Sequence, residues 1–184
     1  MASNGSTPVV EAVHRSADHT FCKWREDEIE LLAGFGVAGD APAGARVKHR
    51  SRVKVDPSQP NLRQVHLIHT EIFERARSLG FEVAPGDMGE NITTSGIDLI
   101  GLSVGTLLEI GDNAIISVTG LRNPCPQLKG IHPDFQGAML DRWEDGTLKR
   151  LAGVMAVVVD GGLVKPGDPI AVTEPTRHRR LEKI

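Results

Sequence analysis

Cys125 is the residue of this sequence best equipped to do chemistry. It stands in the run Arg122-Asn123-Pro124-Cys125-Pro126, with a proline on each side. Pro124 fixes its own φ and pushes Asn123 toward extended backbone, and Pro126 does the same to Cys125. Neither proline offers an N–H to a sheet. The segment therefore reads as a stiff loop whose covalent geometry aims the thiol. The thiolate is the nucleophilic and metal-binding form of cysteine, and Arg122 or Lys129, if folded close, would favour it. A lone cysteine more often fills core space as a small hydrophobe. A Pro-Cys-Pro loop flanked by Arg-Asn is a poor place for that, so the reactive reading is preferred.

Four further stretches carry usable groups. Pro85-Gly86-Asp87-Met88-Gly89-Glu90-Asn91-Ile92-Thr93-Thr94 is a tight turn that either joins two strands or offers backbone N–H groups to an anion. Val47-Lys48-His49-Arg50-Ser51-Arg52-Val53-Lys54, read as a strand, puts Lys48, Arg50, Arg52 and Lys54 on one face. Four cations there would hold a phosphate or guard an exposed sheet edge. Gly36-Val37-Ala38-Gly39-Asp40 and His19-Thr20-Phe21-Cys22-Lys23 each pair turn chemistry with one or two reactive groups. There is no glycine–lysine phosphate loop, no dinucleotide glycine fingerprint and no serine nucleophile elbow. The histidines do not fall at zinc spacings with paired cysteines. A Cys-His-Asp hydrolase built on Cys125 stays compatible with the spacing, because such triads assemble in space.

The elements that must position these groups are mostly strands. Strand signals fall at Val9–Val13, Ile29–Leu32 and Val65–Ile68. The clearest is Thr106–Ile110 and Ala114–Thr119 joined by Gly111-Asp112-Asn113, a hairpin. Val154–Val159 is apolar at every position and reads as buried on both faces, and Ile170–Val172 forms a last strand. One helix is expected, capped by Thr70, with Ile72, Phe73, Ala76 and Leu79 as its apolar stripe and Gly80 at its C-terminal turn. Tyrosine is absent and seven aromatic residues are present (five Phe, two Trp), so the core must be built from Val, Ile and Leu. Many short strands suggest a mainly β fold, a closed or partly closed β-barrel with a few short helices.

The 184 residues suit one domain, and the net charge of −3 gives no case for nucleic acid or an anionic membrane. The polar start Met1–Thr7 has no basic, apolar leader pattern, and no run reaches the ~18 apolar residues of a membrane span. The expected setting is the cytoplasm, where Cys22 and Cys125 would stay reduced. Residues 1–7 and 174–184 are expected to be loosely held ends, the second carrying the basic run Arg177-His178-Arg179-Arg180.

Taken in order, Phe21-Cys22-Lys23, Gly36–Asp40, Lys48-His49-Arg50-Ser51, Gly86-Asp87 with Gly89-Glu90-Asn91, and Gly120–Cys125 resemble the MOSC domain. The resemblance runs from about residue 8 to residue 173. It implies a β-rich, barrel-like fold and one essential cysteine, which maps onto Cys125. It also implies the molybdenum cofactor (molybdopterin), a molybdenum held by the dithiolene of a phosphorylated pterin, or sulfur carried as a cysteine persulfide. Some members reduce N-hydroxylated bases; others sit beside a pyridoxal-phosphate domain, for which this chain has no fold. On this resemblance Cys125 ligates molybdenum, while Arg122, Asn123, Lys48, His49 and Arg50 orient the cofactor. Asp40, Glu90, Asn91 and Lys23 complete the pocket. A small-molecule substrate and an electron-donor or sulfur-donor protein are the implied partners. Two departures stand out: Pro42 occupies a position where members often carry histidine, and Cys22 one where serine is common.

Overall fold

Side-chain alternation sets the sheet. In the strand Ala114–Leu121, the residues Ala114, Ile116 and Val118 turn inward and are almost fully buried, as a period of two requires of a half-covered sheet. In the computed structural model, which describes residues 7–18, 20–46 and 59–184, such strands make up most of the regular structure. Lys48, His49 and Arg50, the rest of the basic run 47–54, and His19 lie outside these residues. The strands are β1 (Val9–Arg15), β2 (Trp24–Glu26), β3 (Ile29–Leu32), β4 (Gly36–Val37), β5 (Val65–His69), β6 (Ile92–Ser95), β7 (Leu107–Ile110) and β8 (Ala114–Leu121). They continue with β9 (Leu140–Arg142), β10 (Leu148–Arg150), β11 (Val154–Asp160), β12 (Gly162–Val164) and β13 (Ile170–Thr173). The helices are α1 (Thr70–Ser78) and α2 (Phe135–Ala138).

Eight strands form one sheet in the order β13-β7-β8-β11-β5-β6-β1-β2, flanked by the ribbons β10-β9 and β12-β3-β4. The expectation of a mainly β chain with few helices is met, and the β7–β8 hairpin pairs as read, turning at Gly111 with φ +60°. Among the described residues no sheet is closed into a barrel. Strand β1, next to the edge strand β2, meets the start of β13 through a bridge between Val9 and Pro169 and nearby backbone bonds such as Val10 N–H to the Asp168 carbonyl, 2.9 Å.

β5 and β6 run parallel, joined through α1. The helix stripe is Ile72, Phe73 and Ala76, at most 4% exposed. Two details differ from the expected helix. His69, with extended backbone, precedes the first turn without a side-chain cap, because Thr70 is already helical and its hydroxyl turns to Glu71 at 3.3 Å. Leu79 falls past the last turn and is 49% exposed; Gly80 takes the positive φ expected there. β11 is buried on both faces only in part. β5 pairs with Val154–Ala156 alone, so beyond it the strand has lost one neighbour and Val159 is 46% exposed.

The segment 174–184, expected to be loosely held, lies against the body. Leu121 N–H donates to the Glu182 carbonyl at 2.7 Å and Val104 N–H to that of Arg179 at 2.9 Å. Leu181 is 2% exposed: an apolar side chain so close to the chain end gains by burial against the sheet. Among the described residues no helix is long and apolar enough to cross a membrane.

Candidate functional site

β8 delivers Arg122 and the loop Asn123–Cys125 at one end of the large sheet. Pro124 is buried, its carbonyl accepting from Gln136 Nε2 at 3.1 Å. Cys125 has extended backbone and starts a short 3-10 turn, Pro126–Gly130. Its sulfur is half-buried and lies 3.5 Å from Gln127 Oε1. The Arg122 guanidinium lies near enough to Cys125 for their charges to interact. A cation beside sulfur favours its negatively charged forms, those that bind metals and attack other sulfur atoms. Lys129 is exposed, and Asn123 Oδ1 accepts from Arg150 Nε at 2.9 Å.

Arg122 is held from several sides. The same amino group donates to the Met88 carbonyl and, at 2.9 Å, to His66 Nδ1, and the guanidinium carbon lies 5.5 Å from the centre of the Phe21 ring. Burial lowers the Arg122 pKa, opposed by Cys125 and Glu90. The side chain keeps its charge, as arginine does in proteins.

The turn before β6 builds the neighbouring wall. Gly86 (φ +94°) and Gly89 (φ +78°) are crowded by the other loop: a Cβ on Gly89 would meet the Phe21 carbonyl oxygen, and one on Gly86 that of Lys23, at 2.7 Å. Only glycine allows both the conformation and the approach. Lys23 N–H donates to the Gly86 carbonyl at 2.9 Å, and the Cys22 thiol lies 3.5 Å from that of Asp87. Cys22 is exposed; partial burial raises its pKa, reinforced by the charges of Asp87 and Glu90.

Beneath these loops is a closed polar network. Lys23 Nζ meets Asp40 Oδ2 at 2.5 Å, with side chains 8% and 1% exposed. Burial lowers the Lys23 pKa, opposed first by Asp40. Asp40 also accepts from Ser16 N–H and Asn91 Nδ2, both at 2.9 Å. Asn91 uses its other amide proton on the His14 carbonyl at 3.2 Å and accepts from His66 N–H at 3.1 Å. Lys23, Asp40 and Asn91 thus spend these polar atoms on one another and on β1 and β5.

Two buried groups are less satisfied. Glu90 is fully buried; its Oε1 accepts from Gly86 N–H and, at 3.2 Å, from Thr93 Oγ1, while its Oε2 has no hydrogen-bond partner among the described residues. Burial raises its pKa, against the pull of those bonds and of Arg122. Neither ring nitrogen of His14 has a hydrogen-bond partner among the described residues. Its pKa falls to about 4, by burial first and then the charges of Arg25 and Lys23, with Asp87 opposing.

The structure therefore gathers Lys23, Asp40, Glu90, Asn91, Arg122 and Cys125 around one end of the large sheet's strands, with Asn123 bonded to Arg150. Sequence reasoning missed His66 and His14, which stand in ordinary strand patterns. Two surface hollows, of about 410 and 450 Å³, are lined by Arg15 and Glu26 among others and not by Cys125. Among the described residues no three His, Cys, Asp or Glu side chains converge as a metal-binding set. One thiol beside one arginine fits a metal that brings its own sulfur ligands, as dithiolene-bound molybdenum does, rather than a metal held wholly by protein.

The family model for the MOSC domain matches residues 45–171. No curated protein matches by sequence. Among solved structures, the YuaD protein from Bacillus subtilis superposes with a TM-score of 0.76 at 23% identity, over 93% of this chain and 98% of that one. YiiM from Escherichia coli gives 0.61 at 21% identity, over 94% and 73%. YiiM from Geobacillus stearothermophilus gives 0.57 at 19%, over 91% and 74%. At these identities the likeness establishes a shared fold.

Proposed function

The chain belongs to the MOSC domain family, and from that premise we propose that it binds the molybdenum cofactor through Cys125 and reduces N-hydroxylated substrates. The observation that carries this reading is the nearness of the Arg122 charge to Cys125 at a strand end. In this reading Cys125 supplies the one protein sulfur ligand, and the Arg122 guanidinium stands beside it. When bound, the cofactor supplies the two-electron chemistry that cleavage of an N–O bond requires. The overall change consumes two electrons and two protons and releases water, so an electron-donor protein is a partner. Lys48, His49 and Arg50 are the proposed cradle of the pterin phosphate, with Asn123 at the rim. Lys23, Asp40 and Asn91 brace the loops from within, and Glu90 closes the wall beside Arg122. A cytoplasmic setting keeps both free thiols reduced.

A second reading is a sulfur carrier that holds a persulfide on Cys125 and passes it to the cofactor or to a metal–sulfur assembly. It is favoured by the exposed Cys22 thiol on the adjoining loop, which is placed to meet a sulfur-donor or acceptor protein. Metal analysis of protein made in a host that produces the cofactor separates the two. Stoichiometric molybdenum in the wild type, lost in Cys125→Ala, is the expected result. Molybdenum-free wild type with cyanide-labile sulfur on Cys125 overturns it in favour of the carrier.

A further inference from the structure

β5 and β8 are not neighbours; the start of β11 lies between them. Arg122 nevertheless reaches His66 across that strand. The turn before β11 makes this possible. Gly153 has φ +86°, and a Cβ there would stand 2.2 Å from the Leu67 carbonyl oxygen and 3.0 Å from His66 Nε2. Without a side chain, the turn sends two successive carbonyls to the site: Ala152 O to His66 Nε2 at 2.7 Å, and Gly153 O to Arg122 N–H at 3.0 Å.

Those contacts settle the state of the imidazole. A carbonyl only accepts, so Nε2 carries the proton. The His66 pKa lies well below 6.5, through burial first and then the charge of Arg122, so the ring is neutral and Nδ1 is a lone pair. The Gly89 carbonyl near the ring favours a second proton, but a guanidinium N–H 2.9 Å from Nδ1 leaves no room for one. His66 is 3% exposed, and its backbone is fixed on both sides by Asn91, which donates to its carbonyl at 2.8 Å and accepts from its N–H.

We infer that His66 is a positioning residue of the Cys125 site: the Nδ1 lone pair, held in register by Ala152 O, aims the Arg122 guanidinium at the Cys125 sulfur. The inference rests on Cys125 being the chemical centre, and is independent of whether that sulfur binds molybdenum or carries sulfane sulfur. Met88 O and His66 Nδ1 accept from the same Arg122 amino group, and the Phe21 ring lies 5.5 Å from the guanidinium carbon. The imidazole supplies the acceptor that fixes its rotation.

The test is alkylation of the purified full chain by iodoacetamide at neutral pH, read peptide by peptide by mass spectrometry, with Cys22 as the internal control. His66→Gln keeps a donor for Ala152 O but presents no acceptor to Arg122; its Cys125 should react severalfold more slowly, because the guanidinium is no longer held beside the sulfur. His66→Asn places Oδ1 where Nδ1 stood and should restore most of the rate. Arg122→Met should slow Cys125 as much as His66→Gln, and the double variant no further. Equal rates in all His66 variants and wild type, or equal slowing by Gln and Asn, overturn the inference. Nitrogen-15 spectra of the wild type give a check that needs no variant: a proton on His66 Nδ1 also overturns it. None of these readouts uses molybdenum or cyanide-labile sulfur, so their outcome is separate from that of the proposed function.

Discussion

His14 sits where an imidazole gains little from a proton. It is 1% exposed, its ring nitrogens have no hydrogen-bond partner among the described residues, and it lies close to Gly86, where an added Cβ would come within 3.4 Å of its Nε2. With a folded pKa of about 4 and an unfolded value near 6.5, the unfolded chain binds the extra proton first as pH falls. Stability therefore drops between about pH 6.5 and pH 4, with a His14 contribution of about 2 kcal/mol lost by pH 5. Glu90, whose folded pKa is raised, pulls in the opposite direction. The informative quantity is thus the difference between wild type and His14→Gln in urea midpoints at pH 7 and pH 5. The variant should lose less on acidification; an equal loss in both would exclude His14 as the cause. The carboxyl and amide groups of Asp40 and Asn91 could be picked out in the sequence as polar residues near turns. That they face inward, toward Lys23 and the backbone of β1 and β5, could not, because pairing partners such as Lys23 and Asp40 meet only when separate turns fold together.

Among the elements, the turn 151–153 has the most influence on the site for its size. It holds no titratable group, yet it sets both His66 and Arg122 by way of two carbonyls. Gly153→Ala forces an L side chain into a positive-φ turn and against a backbone oxygen, which should cost about 3 kcal/mol or more. It should also slow Cys125 alkylation. Urea denaturation with the same peptide-level alkylation checks both, and a variant as stable as wild type would mean that the turn adapts freely. The long strands were legible because alternation and β-branched runs announce them: β1, β3, β5, β7, β8, β11 and β13 all stand where the sequence places a strand. β2, β4, β9, β10 and β12 have two or three residues each, too few to show a period. β6 was hidden differently: Thr93 and Thr94 look like turn residues but are fully buried, since a strand paired on both sides, by β5 and β1, tolerates threonine.

At the scale of the whole molecule, the last residues help to hold the site strand. Leu121, which precedes Arg122, donates to Glu182 and accepts from Ile184 N–H at 3.3 Å, and Gly120 leaves room for the Ile184 side chain. Leu181→Ala should cost about 2–5 kcal/mol, the usual range for a buried leucine, measured as a fall in the urea midpoint. An unchanged midpoint would show that the chain end contributes nothing to the fold. By itself the sequence determined the β character, the main hairpin and the stiff loop around Cys125, because alternation, turn residues and proline act over a few neighbouring positions. Its motifs also carried the family. Only the tertiary structure decided what stands beside that thiol. Arg122 and His66 are 56 positions apart, and they meet because β8, β11 and β5 lie side by side with a glycine at the crossing. Cys125 owes its direction to local covalent geometry, and its charged neighbour to three strands packed in one order.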